Sequence, residues 1–368
     1  MNDHVEARLP PGLLARLSAL HPGGRVVSAV PLGVDEAGGA GETVKGLGYG
    51  RPIRLTLEVA GARRDLVLHT ATPDAFGHDR RSDRVAAMLL AWDTFGALPR
   101  HARAVDVGVI AGPELVSLAG AGEAYLLTEW AAGRPYAVDL RRVAAHGATE
   151  GDVERARRLA RLLAEIHARP GTHPGAYVRA WRDLCGSGEG IAGIADGYAG
   201  GAGRDVPGAP AARIAAIERQ CLTLRHHFRD DVARLTRTHG DFHPFNVLFD
   251  GGEPVLLDAS RGAEGEPADD VACMAINFLF FGVGAPERWA HGLGRLWTAF
   301  LSAYDDARPD PGLPERLGPF FAWRGLVVTS PAWYPNLEAH ERDRILRFVE
   351  RCLEAPRFMP GFGEDAMR

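Results

Sequence analysis

The stretch that most constrains this chain is THGDFHPFNVLFDGGEPVLLDASRGAEGEPADDVA, residues 238–272. Asp241 follows His239-Gly240, Asn246 comes five residues after Asp241, and Asp258 twelve after Asn246, closing an apolar run. The chain has four asparagines, and one stands at this offset. Val247–Phe249 and Pro254–Leu257 read as short strands flanking the turn DGGE, a hairpin. A loop and a strand end joined this way bring three oxygen-bearing side chains together. One carboxylate can orient a hydroxyl and take its proton. A second carboxylate and an amide oxygen can hold Mg²⁺, a hard cation that shares oxygen ligands with phosphates and water. These residue types at this spacing suit phosphoryl transfer. The bland alternative makes Asp241 and Asn246 turn formers and Asp258 a strand cap.

The rest of the chain divides around this stretch. Arg25–Val30, Ile53–Val59 and Asp65–Leu68 are β-rich and bounded by glycine-rich turns. Asp79–Phe95 reads as a helix with Val85, Met88, Leu89 and Trp92 on one face, and Ala104–Ile110 and Ala124–Thr128 as further strands. WAAGRPY, residues 130–136, reads as a linker, and beyond it the chain turns helical. Thr149 and Asp152 form a capping-box-like start, followed by a stripe of Val153, Ala156, Leu159, Leu163 and Ile166. Residues 186–210 are rich in Gly and Ala and read as a loop or insertion, followed by a helix from Ala211 to about Asp230. Arg342–Leu353 is amphipathic, with Ile345, Leu346, Val349 and Leu353 facing inward.

With 368 residues, nearly half of them apolar, the chain is long enough for two lobes. Its net charge of −5 argues against broad nucleic-acid binding, which needs a basic surplus. The start of the chain lacks the basic-then-apolar order of a signal peptide, and no apolar run reaches the length of a membrane span. Four scattered cysteines without a C-x-x-C pair suit a reduced, cytoplasmic protein. We expect a monomer or homodimer without nucleic-acid or membrane partners. Lys45 is the only lysine among 42 basic residues, so a role that needs an ammonium has one candidate.

HGDFHPFN resembles the catalytic loop of the aminoglycoside phosphotransferase and choline kinase family of small-molecule kinases. It is similar to the protein-kinase H-R-D-L-x-x-x-N loop in its Asp-to-Asn gap. Leu256-Leu257-Asp258 resembles that family's metal-binding strand end, and Gly265–Ala272 its G-D-P-x-x-D-L-A segment. The resemblance implies an α+β, two-lobed protein-kinase-like fold. A helical extension (1–22) would precede a small antiparallel-sheet N-lobe (23–130) and a mostly helical C-lobe (131–368). It implies ATP or GTP as donor, Mg²⁺ as cofactor and a hydroxyl of a small molecule as acceptor. Asp241 is then the catalytic base, and Asn246 and Asp258 the metal ligands. Asp270 and His239 are structural residues of the loop. Glu129 and Trp130 fall at the hinge beside the purine. His243 falls near the phosphate, and Trp323, Arg324, Trp333 and Tyr334 fall toward the acceptor.

One family element is missing. Kinases carry a lysine on the third strand for the α/β-phosphates, paired with a helix acid. Here that strand reads Leu66-Val67-Leu68-His69-Thr70, with His69 at about the lysine's place and Asp83 or Asp93 as the acid. Lys45, in the glycine-rich Lys45–Gly50 run, is the preferred cation because its charge is permanent; His69, Arg51 and Arg54 are the alternatives. The missing lysine also motivates a second reading, a nucleotide-binding pseudokinase with a regulatory or scaffold role. The acidic residues Glu264, Glu266, Asp269 and Asp270 suit either a cationic acceptor or a solvated acidic loop.

Overall fold

The computed structural model describes residues 9–10, 12–32, 52–198, 205–259 and 261–368, which fall into two compact units, 1–128 and 129–368. Lys45, its glycine-rich run and Arg51 lie outside the described residues.

In the first unit, β1 (Arg25–Pro31), β2 (Ile53–Val59) and β3 (Ala62–Leu68) form an antiparallel sheet in that order. The two-residue period of β2 turns Leu55 and Leu57 to one face, where they join Ala29 and, from helix α1 (Leu13–Leu20), Leu13 and Leu17 in a small core. The β2–β3 turn runs through Ala60 and Gly61, both at positive φ, as a tight right-twisted hairpin requires. Helix α2 (Arg81–Phe95) starts where the Arg80 N–H donates to the Asp83 carboxylate at 2.7 Å. Val85, Met88, Leu89 and Trp92 lie on its half-buried side, and none of its residues is fully buried. β4 (Gly108–Ala111) and β5 (Glu114–Ser117) make a separate hairpin.

Two expected strands differ. The first begins only at Gly108, and Ala124–Thr128 joins none of the described strands. Tyr125, Leu126 and Leu127 are largely solvent-exposed. A β-rich run becomes a strand only when a neighbour supplies ladder partners, and local propensity cannot provide that neighbour.

In the second unit, the linker contributes β6 (Arg134–Pro135), which pairs with β8 (Val247–Asp250); β8 in turn pairs with β9 (Glu253–Leu256). Helix α3 (Tyr136–His146) precedes α4 (Glu150–His167). The α4 capping box is made: the Thr149 N–H donates to the Asp152 carboxylate at 2.9 Å, and the Asp152 N–H to Thr149 Oγ1 at 3.3 Å. Val153, Ala156, Leu159 and Leu163 are buried along its stripe. Helix α5 (Pro174–Cys185) is followed by α6 (Ile191–Asp196), a short helix inside the expected loop, and by α7 (Ala211–Phe228). β7 (Thr236–Arg237) pairs with β10 (Glu264–Gly265), bracketing the motif-bearing stretch.

Helix α8 (Ala268–Gly282) is apolar on nearly all sides and almost wholly buried, as an all-round hydrophobic helix must be. It packs against α9 (Leu293–Ala307) and α10 (Leu313–Val328). Helix α10 lies close against α11 (Ala339–Glu354), and α12 (Gly361–Ala366) ends the chain. Two α10 glycines allow this approach. A Cβ at Gly318 would fall 2.6 Å from the Cys352 carbonyl oxygen, and one at Gly325 2.4 Å from Val349 Cγ2. Ile345, Leu346, Val349 and Leu353 face inward on α11. No helix among the described residues is long and apolar enough to cross a membrane.

Candidate active site

The turn between β7 and β8 carries His239, Gly240 and Asp241, and it is held from below by one buried carboxylate. Asp270, fully buried on the first turn of α8, accepts the His239 N–H at 2.7 Å and the Gly240 N–H at 2.8 Å. It also takes His167 Nε2 at 3.1 Å, and His167 Nδ1 meets the Tyr304 hydroxyl at 2.7 Å. Burial alone would raise the Asp270 pKa. The His167 contact and the His239 backbone N–H outweigh it and hold the group below its usual range. Gly240 sits at φ +82°, and a Cβ there would press on the Gly262 carbonyl oxygen and Arg261 Cβ. A glycine between His239 and Asp241 is therefore a backbone requirement.

Asp241 is nearly buried and crowded by cationic and polar groups. Arg324 Nη1 donates to its Oδ1 at 2.9 Å, Arg261 Nε lies 3.7 Å from the same oxygen, and His243 Nε2 lies 3.5 Å from Oδ2. Burial would raise this carboxyl, but the His243 hydrogen bond and the Arg324 and Arg261 charges hold it well below the usual range. It is ionised at neutral pH.

Asn246 Nδ2 donates to the Asp241 backbone oxygen at 3.2 Å and approaches its carboxylate at 3.4 Å. The amide NH₂ is thereby directed to Asp241, leaving Asn246 Oδ1 as the other face of the group. The Leu257 N–H donates to the Asn246 carbonyl at 2.9 Å, so the end of β9 is tied beside Asn246. Asp258 follows directly, exposed and at φ +49°. A left-handed backbone costs a non-glycine residue about 1 kcal/mol and is found disproportionately at functional sites.

Mg²⁺ fits this donor set: one amide oxygen and one exposed carboxylate, both hard oxygen ligands on adjoining backbone. Among the described residues no group of three or more His, Cys, Asp or Glu side chains could enclose a metal. Mg²⁺ is commonly bound through one or two protein oxygens plus substrate phosphates, which needs no such cage.

The other anticipated residues fall in three places. His69 is exposed just past β3, and Asp83 caps α2, both in the first unit. Arg54 is ion-paired with Asp65. Glu129 and Trp130 are exposed at the start of the second unit. Trp323 and Arg324 are buried, whereas Trp333 is half-exposed and Tyr334 packs edge-on against Phe280. The acidic residues do not form an open solvated loop. Glu264 accepts from Thr172 and His173. Glu266 is buried against Arg234 and Tyr177, and Asp269 accepts from Arg324.

Four contributors escaped the sequence reading. Arg261 stands three residues after Asp258, inside the quoted stretch, and spans from Asp241 to Glu189 Oε2 at 2.7 Å. Glu189 lies in the Gly/Ala-rich region and carries no sequence signal. His167 had one, as a polar residue four after Leu163 on the buried stripe of α4. Asp269 was visible only as one of several acids.

Sequence comparison gives the class of protein. Residues 56–310 match the family described as the Phosphotransferase enzyme family, and the chain belongs to that family. Among solved structures, glucosamine kinase in complex with glucosamine, ADP and inorganic phosphate matches with 18% identity and TM-score 0.35, over 60% of this chain and 57% of that one. A second crystal form of glucosamine kinase matches with 19% identity and TM-score 0.42, over 95% and 98% of the two chains. A choline/ethanolamine kinase family protein from Mesorhizobium loti matches with 13% identity and TM-score 0.36, over 90% and 94%. The first of these alignments spans little more than half of the glucosamine kinase chain. A search of curated proteins finds no match. The fold is mixed α/β, with small antiparallel sheets and many helices.

Proposed function

We propose that this protein transfers the γ-phosphoryl group of ATP or GTP, with Mg²⁺, to a hydroxyl of a small-molecule acceptor. The observation that carries the reading is the Asp241–Asn246 contact with Asp258 tied alongside by the Leu257–Asn246 hydrogen bond. Asn246 Oδ1 and Asp258 are the residues that would hold Mg²⁺, which supplies charge neutralisation at the transferring phosphates. Asp241 orients the acceptor hydroxyl and receives its proton. Its depressed pKa makes it a weak base, so its main contribution is orientation, with the proton accepted late. That suits a loose phosphoryl-transfer transition state, where positioning and electrostatics dominate.

The test is incubation of the purified protein with labelled ATP and Mg²⁺, alone and with panels of hydroxylated small molecules, alongside Asp241→Asn. Wild type should release phosphate slowly to water and faster to its acceptor. Asp241→Asn should lower kcat by roughly 10²–10⁴-fold with nucleotide affinity within a few-fold. Nucleotide binding without turnover by wild type would transfer the case to the pseudokinase reading.

A further inference from the structure

Arg324 was anticipated at the acceptor, yet it is 3% exposed and makes every polar contact inward. Its three nitrogens are divided among three groups. Nη1 donates to Asp241 Oδ1 at 2.9 Å and Nη2 to the Gly240 carbonyl at 2.8 Å. Nε and Nη2 both reach Asp269 Oδ1, at 3.0 and 2.5 Å. The guanidinium thus grips the side chain of Asp241 and, through Gly240, the backbone that precedes it. We propose that Arg324 is a positioning residue for Asp241, and that Asp269 is the anchor that sets the plane of the Arg324 guanidinium. The inference rests on the phosphotransfer reading above.

Three observations support it. Position is fixed at the far end: Arg324 precedes Gly325, whose missing Cβ lets α10 seat against Val349, so the helix cannot slide without opening that contact. The guanidinium stacks at 4.1 Å over the Trp323 ring, and the Trp323 indole N–H is itself held by the Glu189 carbonyl at 2.6 Å. The fork geometry is also specific to arginine. A planar guanidinium can serve two carboxylates and a carbonyl at once, whereas an ammonium is a single point charge. Arg261, the second cation at Asp241, is 3.7 Å away and braced by a largely exposed Glu189, so it does not duplicate the clamp. Asp270 fixes the turn's amides from one side and Arg324 fixes its carbonyl and carboxylate from another. Between them the Asp241 carboxylate has little freedom to rotate before the acceptor arrives.

The experiment uses the full chain and water as acceptor, because ATP hydrolysis needs no knowledge of the physiological one. Arg324→Lys, Arg324→Gln and Asp269→Asn are compared with wild type for ADP release, binding of a fluorescent ATP analogue, and melting temperature. A misplaced reacting group costs on the order of 10²-fold in rate without weakening ground-state binding. Arg324→Gln should therefore lose about 100-fold in kcat and Arg324→Lys about 10-fold. Asp269→Asn should fall between wild type and Arg324→Lys. Nucleotide affinity should stay within about threefold throughout. If Arg324→Gln does not fold, Arg324→Lys decides. Loss of kcat at unchanged nucleotide affinity in the folded variants supports positioning, with a lowered melting temperature expected from the unpaired Asp241 and Asp269 carboxylates, and partial retention by lysine shows that charge alone is not enough. Wild-type kcat in the folded variants, or a loss of nucleotide affinity as large as the loss of kcat, would overturn the proposal. Absence of any turnover by wild type would instead remove the phosphotransfer reading, and this inference with it.

Discussion

The two units of this protein are stabilised in different ways. Among the described residues, the first rests on a core of five buried apolar residues, with a helix that buries none of its own. The second surrounds α8, whose residues from Val271 to Leu279 are all buried, and threads ionic contacts through that interior. Among the described residues of the first unit, Arg54–Asp65 is exposed on both sides, and Arg16–Asp106 is partly so. In the second unit, Asp270 and Arg324 are buried in contact with the motif-bearing turn. The lesson is that similar ion pairs have different work to do. An exposed pair is screened and replaceable, whereas a buried one cannot lose a partner without leaving a charge or a backbone N–H unpaired.

The largest effect should come from breaking that contrast directly. Asp270→Ala orphans the His239 and Gly240 N–H groups and His167, and should cost about 3–5 kcal/mol in urea unfolding of the second unit. Asp65→Ala, which breaks the exposed pair with Arg54, should leave the melting temperature almost unchanged. Equal losses in the two variants would erase the distinction.

Next in size is the proposed metal pair. Asp258→Ala should weaken Mg²⁺-nucleotide binding by roughly 10-fold, with little loss, or even a gain, in the absence of Mg²⁺, because a negative charge beside the phosphates is gone. Titration of a fluorescent nucleotide with Mg²⁺ and with EDTA reads this out, and identical behaviour in the two would discard Asp258 as a ligand.

The proposal that the first unit contributes a phosphate cation is tested by Lys45→Met and His69→Gln, measured from pH 6 to 8.5. If Lys45 is the phosphate cation, its variant loses several-fold in affinity at every pH and His69→Gln changes little. If His69 serves, His69→Gln loses several-fold in affinity and Lys45→Met changes little. Two unaffected variants would hand the role to an arginine.

The smallest expected effect is a pH dependence at Asp269. Burial, with the neighbouring Asp270 charge, pushes its pKa up to about 6 against the opposing Arg324 and Arg261 charges. A folded-state pKa above the ordinary 3.8 means that the folded protein binds more protons between these values. This group therefore favours the fold at low pH, and the advantage is lost as pH rises through about 6. Asp269→Asn should gain on the order of 1 kcal/mol relative to wild type on going from pH 5 to pH 8, by urea unfolding. A constant difference would show that Asp269 keeps an ordinary pKa.

Much of the second unit was legible because its signals are local. The Thr149–Asp152 capping box, the α4 stripe, the β8–β9 hairpin and the inward face of α11 depend on residues within a few turns of one another. Ala124–Thr128 was misread for the complementary reason: a strand needs a partner that sequence order does not name. Glu264, Glu266 and Asp269 were misread as a group, since a carboxylate beside a motif looks the same whether it meets solvent or a distant arginine.

By itself, the sequence determined the positions of Asp241, Asn246 and Asp258 along one short stretch, and with them the class of chemistry to look for. The spacing could be read because one turn and one hairpin span it. Only the tertiary structure decided what surrounds Asp241. Arg324 lies 83 residues away along the chain, and His167 lies 103 residues from Asp270. Contacts at such separation arise from helix packing, from the seat of α10 on α11 and the burial of α8. No local pattern encodes where two packed helices will bring their side chains together.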